Sequence, residues 1–235
     1  MKSSIRTLTI TSLAIAALIG AEPGASAASQ VGVDPTASWQ GYMNVFNLPS
    51  QGGAYQFGSG WGIPDLATTW SGPTLTLAPN TIGDAANYWY TPAGGPGATG
   101  NKIMDANLYV ETTGVFSGQT LEFKGSVLAN TLAGKQDPNG NGWTSVAFIK
   151  DFAPDYSSSV SITAPLVNGV FDISLAALAD PTRHIQYGFE TIGPDVWATD
   201  VAPYGNIQIA TVPEPATLAL LGLALGIPAL LRRRP

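Results

Sequence analysis

The sequence predicts an all-β protein: an antiparallel, jelly-roll-like β-sandwich followed by a single C-terminal transmembrane helix. Three observations carry this. Apolar and polar residues alternate with period two in short runs. Clusters of Gly, Pro, Asn and Asp punctuate those runs. Near the end, sixteen largely apolar residues precede three arginines.

About eleven strands are expected, with no amphipathic helix between them. The first four are Gln40–Phe46, Leu66–Trp70, Thr74–Leu77 and Tyr88–Tyr90. Ile103–Glu111 separates Met104, Ala106, Leu108 and Val110 from Asp105, Asn107 and Tyr109. Gln119–Val127 puts Leu121, Phe123 and Val127 on one face and Glu122 and Lys124 on the other. Thr144–Lys150 and Val160–Thr163 follow. Val170–Leu175 sets Phe171, Ile173 and Leu175 against Asp172 and Ser174, and His184–Phe189 aligns Ile185, Tyr187 and Phe189. The last strand is Asn206–Ile209, within a segment Val201–Val212 that reads as extended into the tail. Ala176–Ala179 reads as one short helical turn. Turns are expected at Gly52-Gly53, Pro79-Asn80, Gly94–Gly97, Asp137–Gly140, Pro154-Asp155 and Asp180-Pro181.

Lys2 and Arg6 precede an apolar stretch, Ile10–Ile19, and Ala25-Ser26-Ala27 supplies small residues at a cleavage site. Residues 1–27 therefore read as a secretory signal peptide cut by signal peptidase after Ala27. Residues 28–211 form one exported domain. This part carries fourteen acidic and five basic side chains, a formal charge near −9. Such a surface repels nucleic acid and anionic lipid, and suits neutral glycans, cations or simple solubility. There is no cysteine in the chain. A thiol nucleophile and a thiolate metal site are excluded, and the fold relies on packing alone.

Residues 212–235 form a separate unit. Pro213 and Pro215 fix their own φ and hold Glu214 extended, the form a protease cleft accepts. The run 216–231 would make a helix of roughly 24 Å, somewhat short of a ~30 Å hydrocarbon core. Snorkelling arginines and local thinning make up the difference. Arg232, Arg233 and Arg234 favour the cytoplasmic side. A permanent anchor competes with a cleavable one. Pro213, Glu214, Pro215 and the basic cluster resemble, in order and position, the PEP-CTERM sorting signal of Gram-negative bacteria. The resemblance covers about a tenth of the chain. It implies a substrate of exosortase, a membrane cysteine protease, and an association with exopolysaccharide and biofilm. The expected route is export, anchoring in the inner membrane by the tail, then the cell surface or extracellular space after processing.

The body offers few groups for chemistry, and a non-catalytic surface protein that binds glycan is the expectation. The single histidine, His184, heads a strand and reads as a satisfied edge residue; no Gly-x-Ser-x-Gly elbow accompanies it. A secreted glycoside hydrolase is the alternative. It would draw its two carboxylates from Glu111, Glu122, Glu190 and the aspartates. No cofactor is expected. Asp137, Asn139 and Asn141, followed by Gly142, match the first half of a calcium loop, but Phe148 stands where the twelfth-position acid belongs; a tight hairpin loop explains the segment equally well. Six tryptophans give the best hint of a ligand, since flat rings stack on sugar C–H faces. Trp61, Trp89 and Trp143 are the candidates, and core packing is the competing role for each.

Overall fold

Alternation becomes strand faces in the computed structural model, which describes residues 28–212. The predicted signal-peptide segment, with Ala25 and Ala27, lies outside the described residues. So do the Pro-Glu-Pro motif, the predicted span 216–231 and the terminal arginines. Among the described residues, no helix is long and apolar enough to cross a membrane.

Thirteen strands form: β1 (Ser29–Gly32), β2 (Trp39–Asn47), β3 (Tyr55–Trp61), β4 (Thr68–Ser71), β5 (Thr74–Leu77), β6 (Tyr90–Thr91), β7 (Thr99–Thr113), β8 (Thr120–Asn130), β9 (Thr144–Phe152), β10 (Ser159–Pro165), β11 (Gly169–Ala176), β12 (His184–Val196) and β13 (Ile207–Ala210). They make two sheets. In the first, β8 pairs with β11 on one side and with β1 and β13 on the other; β13 continues to β5 and then β4. In the second, the order is β10-β9-β12-β7-β2-β3, with β6 beside the start of β7. From β7 onward the chain crosses between sheets at nearly every connection.

Ten of the eleven predicted strands are present; the other, Tyr88–Tyr90, is mostly a turn over residues 87–89, and the two-residue β6 starts only at Tyr90. Four further details of the prediction need correction. β1 and β3 were not foreseen. The β1–β8 pair is parallel, so the sandwich is not wholly antiparallel. Ala176 ends β11 and the following residues form a loop, not a helical turn. Segment 201–206 is not extended: 3₁₀ turns occupy Ala198–Asp200 and Ala202–Tyr204, and β13 begins only at Ile207. Pro203 suits such a turn, because it lacks the N–H that a ladder needs.

β3 hid behind its glycines. A Cβ on Gly58 would lie 2.6 Å from Asn44 Oδ1 and 2.8 Å from the Tyr42 hydroxyl, so glycine there makes room for side chains from β2.

The core lies between the two sheets. Leu121, Phe123, Val127, Phe171, Ile173, Ile207 and Ile209 come from the first; Met43, Met104, Leu108, Ile149, Ile185 and Phe189 come from the second. At its centre, the Phe123 ring sits 5.2 Å from Phe171, 5.4 Å from Tyr187 and 5.5 Å from Phe189. Gly125 keeps this cluster close, since a Cβ there would press on the Phe171 ring at 2.5 Å. Asp151 is wholly buried at the β9 end of the second sheet. It accepts Arg183 Nε at 2.7 Å and the Leu178 N–H at 2.9 Å, tying the β11–β12 connection down.

Truncating Phe123 to Ala leaves a cavity that both sheets line. Phe123→Ala is expected to cost about 3–5 kcal/mol, read as a lowered urea midpoint followed by tryptophan fluorescence.

Candidate functional site

Burial sorts the tryptophans. Trp39 is core, stacked on Phe189 at 6.0 Å and donating its indole N–H to the Asp34 carbonyl at 2.7 Å. Trp143, one of the three predicted stacking rings, is only 7 % exposed. Its ring lies flat on Gly193 of β12, where any side chain would collide with it, and packs 4.8 Å from Tyr204. A ligand cannot reach its face, so Trp143 is corrected to a packing residue. Trp70 packs on Trp39, and Trp197 packs on Tyr90 and over Gly94.

Trp61 and Trp89, like Trp70 and Trp197, are half-buried and pack against the core. Trp61 ends β3, the edge strand of the second sheet. Together with Gly62, Asp65, Thr81, Ile82 and Gly83 it lines an open dent of about 360 Å³. Its indole N–H is fixed by Ser59 Oγ at 2.9 Å. Gly62 opens the 3₁₀ turn Ile63–Leu66, which carries Asp65 to the surface; a Cβ on Gly62 would lie 2.9 Å from Asp65 Oδ2, so the carboxylate leans back over the dent's rim. Phe57 sits four residues before Trp61 on the same side of β3, about 13 Å along the strand. Trp89 meets Phe57 edge-on at 6.3 Å and Tyr88 at 4.7 Å. Phe57, Trp61 and Trp89 are half-buried against the core, so each offers only part of a ring outward, with a carboxylate and glycine backbone beside Trp61. Such a surface can stack an apolar ring face and accept hydrogen bonds from hydroxyl groups.

The three glutamates divide between the sheets. Glu122 lies on the outer side of β8, bound to Lys124 at 2.7 Å. Glu111 and Glu190 share the outer face of the second sheet without facing each other. Gln186 stands opposite Glu111, and Asn107 stands opposite Glu190. Four residues of strand, about 13 Å of backbone, separate them. Each is also engaged. Glu190 accepts from Lys150 at 2.7 Å; Glu111 accepts from Gln186 at 2.6 Å and from the Tyr156 hydroxyl at 2.9 Å. Asp105, a diagonal neighbour of Glu190, accepts from Asn107 at 2.7 Å and Asn44 at 3.1 Å. Burial, with the Glu190 charge added, raises its carboxyl above the usual range. His184 is satisfied as expected, with Nδ1 2.9 Å from Thr113 Oγ1 and its ring stacked 4.5 Å from Tyr156.

The Asp137 loop uses its acid as an internal anchor. Asp137 Oδ1 accepts the N–H groups of Asn139 at 2.9 Å and Asn141 at 2.7 Å, and Oδ2 accepts the Asn141 amide at 3.1 Å. Gly140 turns the chain at φ 82°. These contacts account for the residue pattern without a cation. Among the described residues, no group of three or more His, Asp or Glu side chains is placed to hold a metal ion.

One unusual group was not legible in the sequence. Asp195 is 1 % exposed and lines a cleft of about 350 Å³ with Gly97, Gly100, Asp137, Asp200 and Tyr204. Its Oδ1 accepts the Lys102 N–H at 3.0 Å, while Oδ2 has no partner. Burial pushes its carboxyl up to about 7. Gly100 admits the close approach, since a side chain there would collide with the Asp195 backbone.

The raised value has a defined consequence for stability. The unfolded chain releases this proton near pH 4, whereas the folded chain holds it until about pH 7. Asp195 therefore makes folding progressively less favourable as pH rises through that window, and the loss persists above it. Asp195→Asn is expected to shrink the difference in urea midpoint between pH 4.5 and pH 7.5 relative to the unsubstituted chain.

No curated protein and no solved structure matches the chain, and its body has no family assignment. The tail does match. Residues 211–234 fit the PEP-CTERM protein-sorting motif, which implies an exported, membrane-anchored protein processed by exosortase.

Proposed function

We propose that residues 28–211 are one jelly-roll-like sandwich that works without catalysis as a glycan-binding module at the cell surface or in the extracellular matrix. The alternation of sheets from β7 to β13 supports the winding. On this reading signal peptidase frees the amino end after Ala27. The helix 216–231 holds the chain in the inner membrane with Arg232–Arg234 on the cytoplasmic side, until exosortase acts at Pro213-Glu214-Pro215. The glycan reading rests on one observation, the open dent in which Trp61 presents its ring beside the Asp65 carboxylate. Trp89 and Phe57 extend the same flank, which suits a chain of sugar units, such as an exopolysaccharide, more than a single one. The negative formal charge of the domain favours a neutral polymer.

Two measurements test the two halves separately. Mass spectrometry of the protein from cells with active exosortase is expected to find a mature carboxyl end lacking Arg232–Arg234; recovery of the intact tail refutes processing. Retention of the full chain on purified exopolysaccharide is expected to fall at least tenfold with Trp61→Ala and several-fold with Asp65→Ala, while Trp143→Phe, a change within the core, leaves it unaltered. Equal retention of all three refutes the dent as the contact.

A further inference from the structure

Among the described residues six strands have a single partner: the short β1, β4 and β6 and the longer β3, β10 and β11. β4 has four residues. β3 contains Gly58 and Gly60 and lies beside a register shift in β2. β11 carries Asp172 near its middle, so pairing with its own copy would bring like charges together. β10 has none of these protections. It runs seven residues, Ser-Val-Ser-Ile-Thr-Ala-Pro, without a charge, a glycine or an internal proline. Among the described residues it pairs only with β9, which leaves a row of backbone donors and acceptors open along its far side. Val160 is 47 % exposed and Ile162 is 37 % exposed.

We propose that β10 is a self-association edge, pairing antiparallel with β10 of a second copy of this chain about a two-fold axis at Ile162. The pattern of the strand is complementary to itself in that register. Ile162 meets Ile162, Val160 meets Ala164, Ser161 meets Thr163 and Ser159 meets Pro165. Aliphatic side chains then form one continuous row and hydroxyls form the other. A shift of one residue would set aliphatic against hydroxyl along the whole length. The register also uses all seven residues, and the proline at each end stops further pairing because it has no N–H to give. Charge selects the occupant. The exported part carries a formal charge near −9, so most of its surface repels a second copy, whereas this edge brings no charged side chain opposite another. The contact is isologous and closes as a dimer, joining two seven-stranded sheets into one.

The absence of native cysteine makes the test clean. Single cysteines are placed in the full chain, expressed in a host with active export, and disulfide-linked dimer is read on non-reducing gels. Residues directly opposite in an antiparallel pair lie about 4.5–5.5 Å apart at Cα, within reach of a disulfide. Ile162→Cys is expected to convert most of the exported chain to dimer. Leu128→Cys, an exposed site on β8 of the other sheet, stays monomeric. Co-expressed Val160→Cys and Ala164→Cys chains cross-link to each other and not to themselves. Adding Ser161→Lys to Ile162→Cys lowers the dimer at least fivefold. Dimer from Ile162→Cys no greater than from Leu128→Cys overturns the proposal. So does cross-linking of Val160→Cys to itself as readily as to Ala164→Cys, or indifference to Ser161→Lys.

Discussion

Everything in this sandwich depends on contact between two sheets that no disulfide joins. With no cysteine available, the aromatic knot of Phe123 and Phe171 from one sheet and Tyr187 and Phe189 from the other fixes their separation and relative slide. Rings of this size bury much apolar area each and interlock edge to face, which resists sliding better than a uniform aliphatic layer. Gly125 and Gly188 contribute by having no side chain. A Cβ on the first would meet Phe171, and one on the second would run into the β7 backbone. The Asp151–Arg183 pair adds a polar tie at one end, and its geometry is stringent because an unpaired charge there would be costly.

This dependence explains the division of labour among the tryptophans. A fold stabilised by packing alone draws large rings inward, and Trp39 and Trp143 go there. Trp61 and Trp89 stay at the β3 flank, where the second sheet ends and no further strand covers them. Their partial exposure follows from position in the sheet order. The outer face of the second sheet shows the opposite habit. Asn44, Asp105, Asn107, Lys150 and Glu190 satisfy one another and leave few free groups for a substrate.

Strands with clean alternation were legible in the sequence. β8 and β11 present the predicted residues to the core, and β7 and β12 do so while running several residues further than expected. What escaped notice was set by partners far away in sequence. β3 was missed because Gly58 interrupts the alternation, and only the structure shows that Tyr42 and Asn44 need its space. Trp143 and Gly193 are fifty residues apart, and only their contact shows why the ring is hidden. Nothing in the sequence singles out Asp195, because its surroundings come from Gly100 and Lys102 of another strand. The sorting motif is the contrary case. Its chemistry is local, so a short stretch of chain carries it whole.

The position of β13 has an effect on timing. Among the described residues this four-residue strand is the only bridge between β8 and β5, so it links the larger half of the first sheet to the β5–β4 hairpin. It is also the final strand of the domain, just ahead of the sorting motif. A chain delivered amino end first across a membrane must hold its sheet as two unjoined leaves until residues 207–210 emerge. Ile207 and Ile209 therefore join the core only after every earlier described strand has emerged.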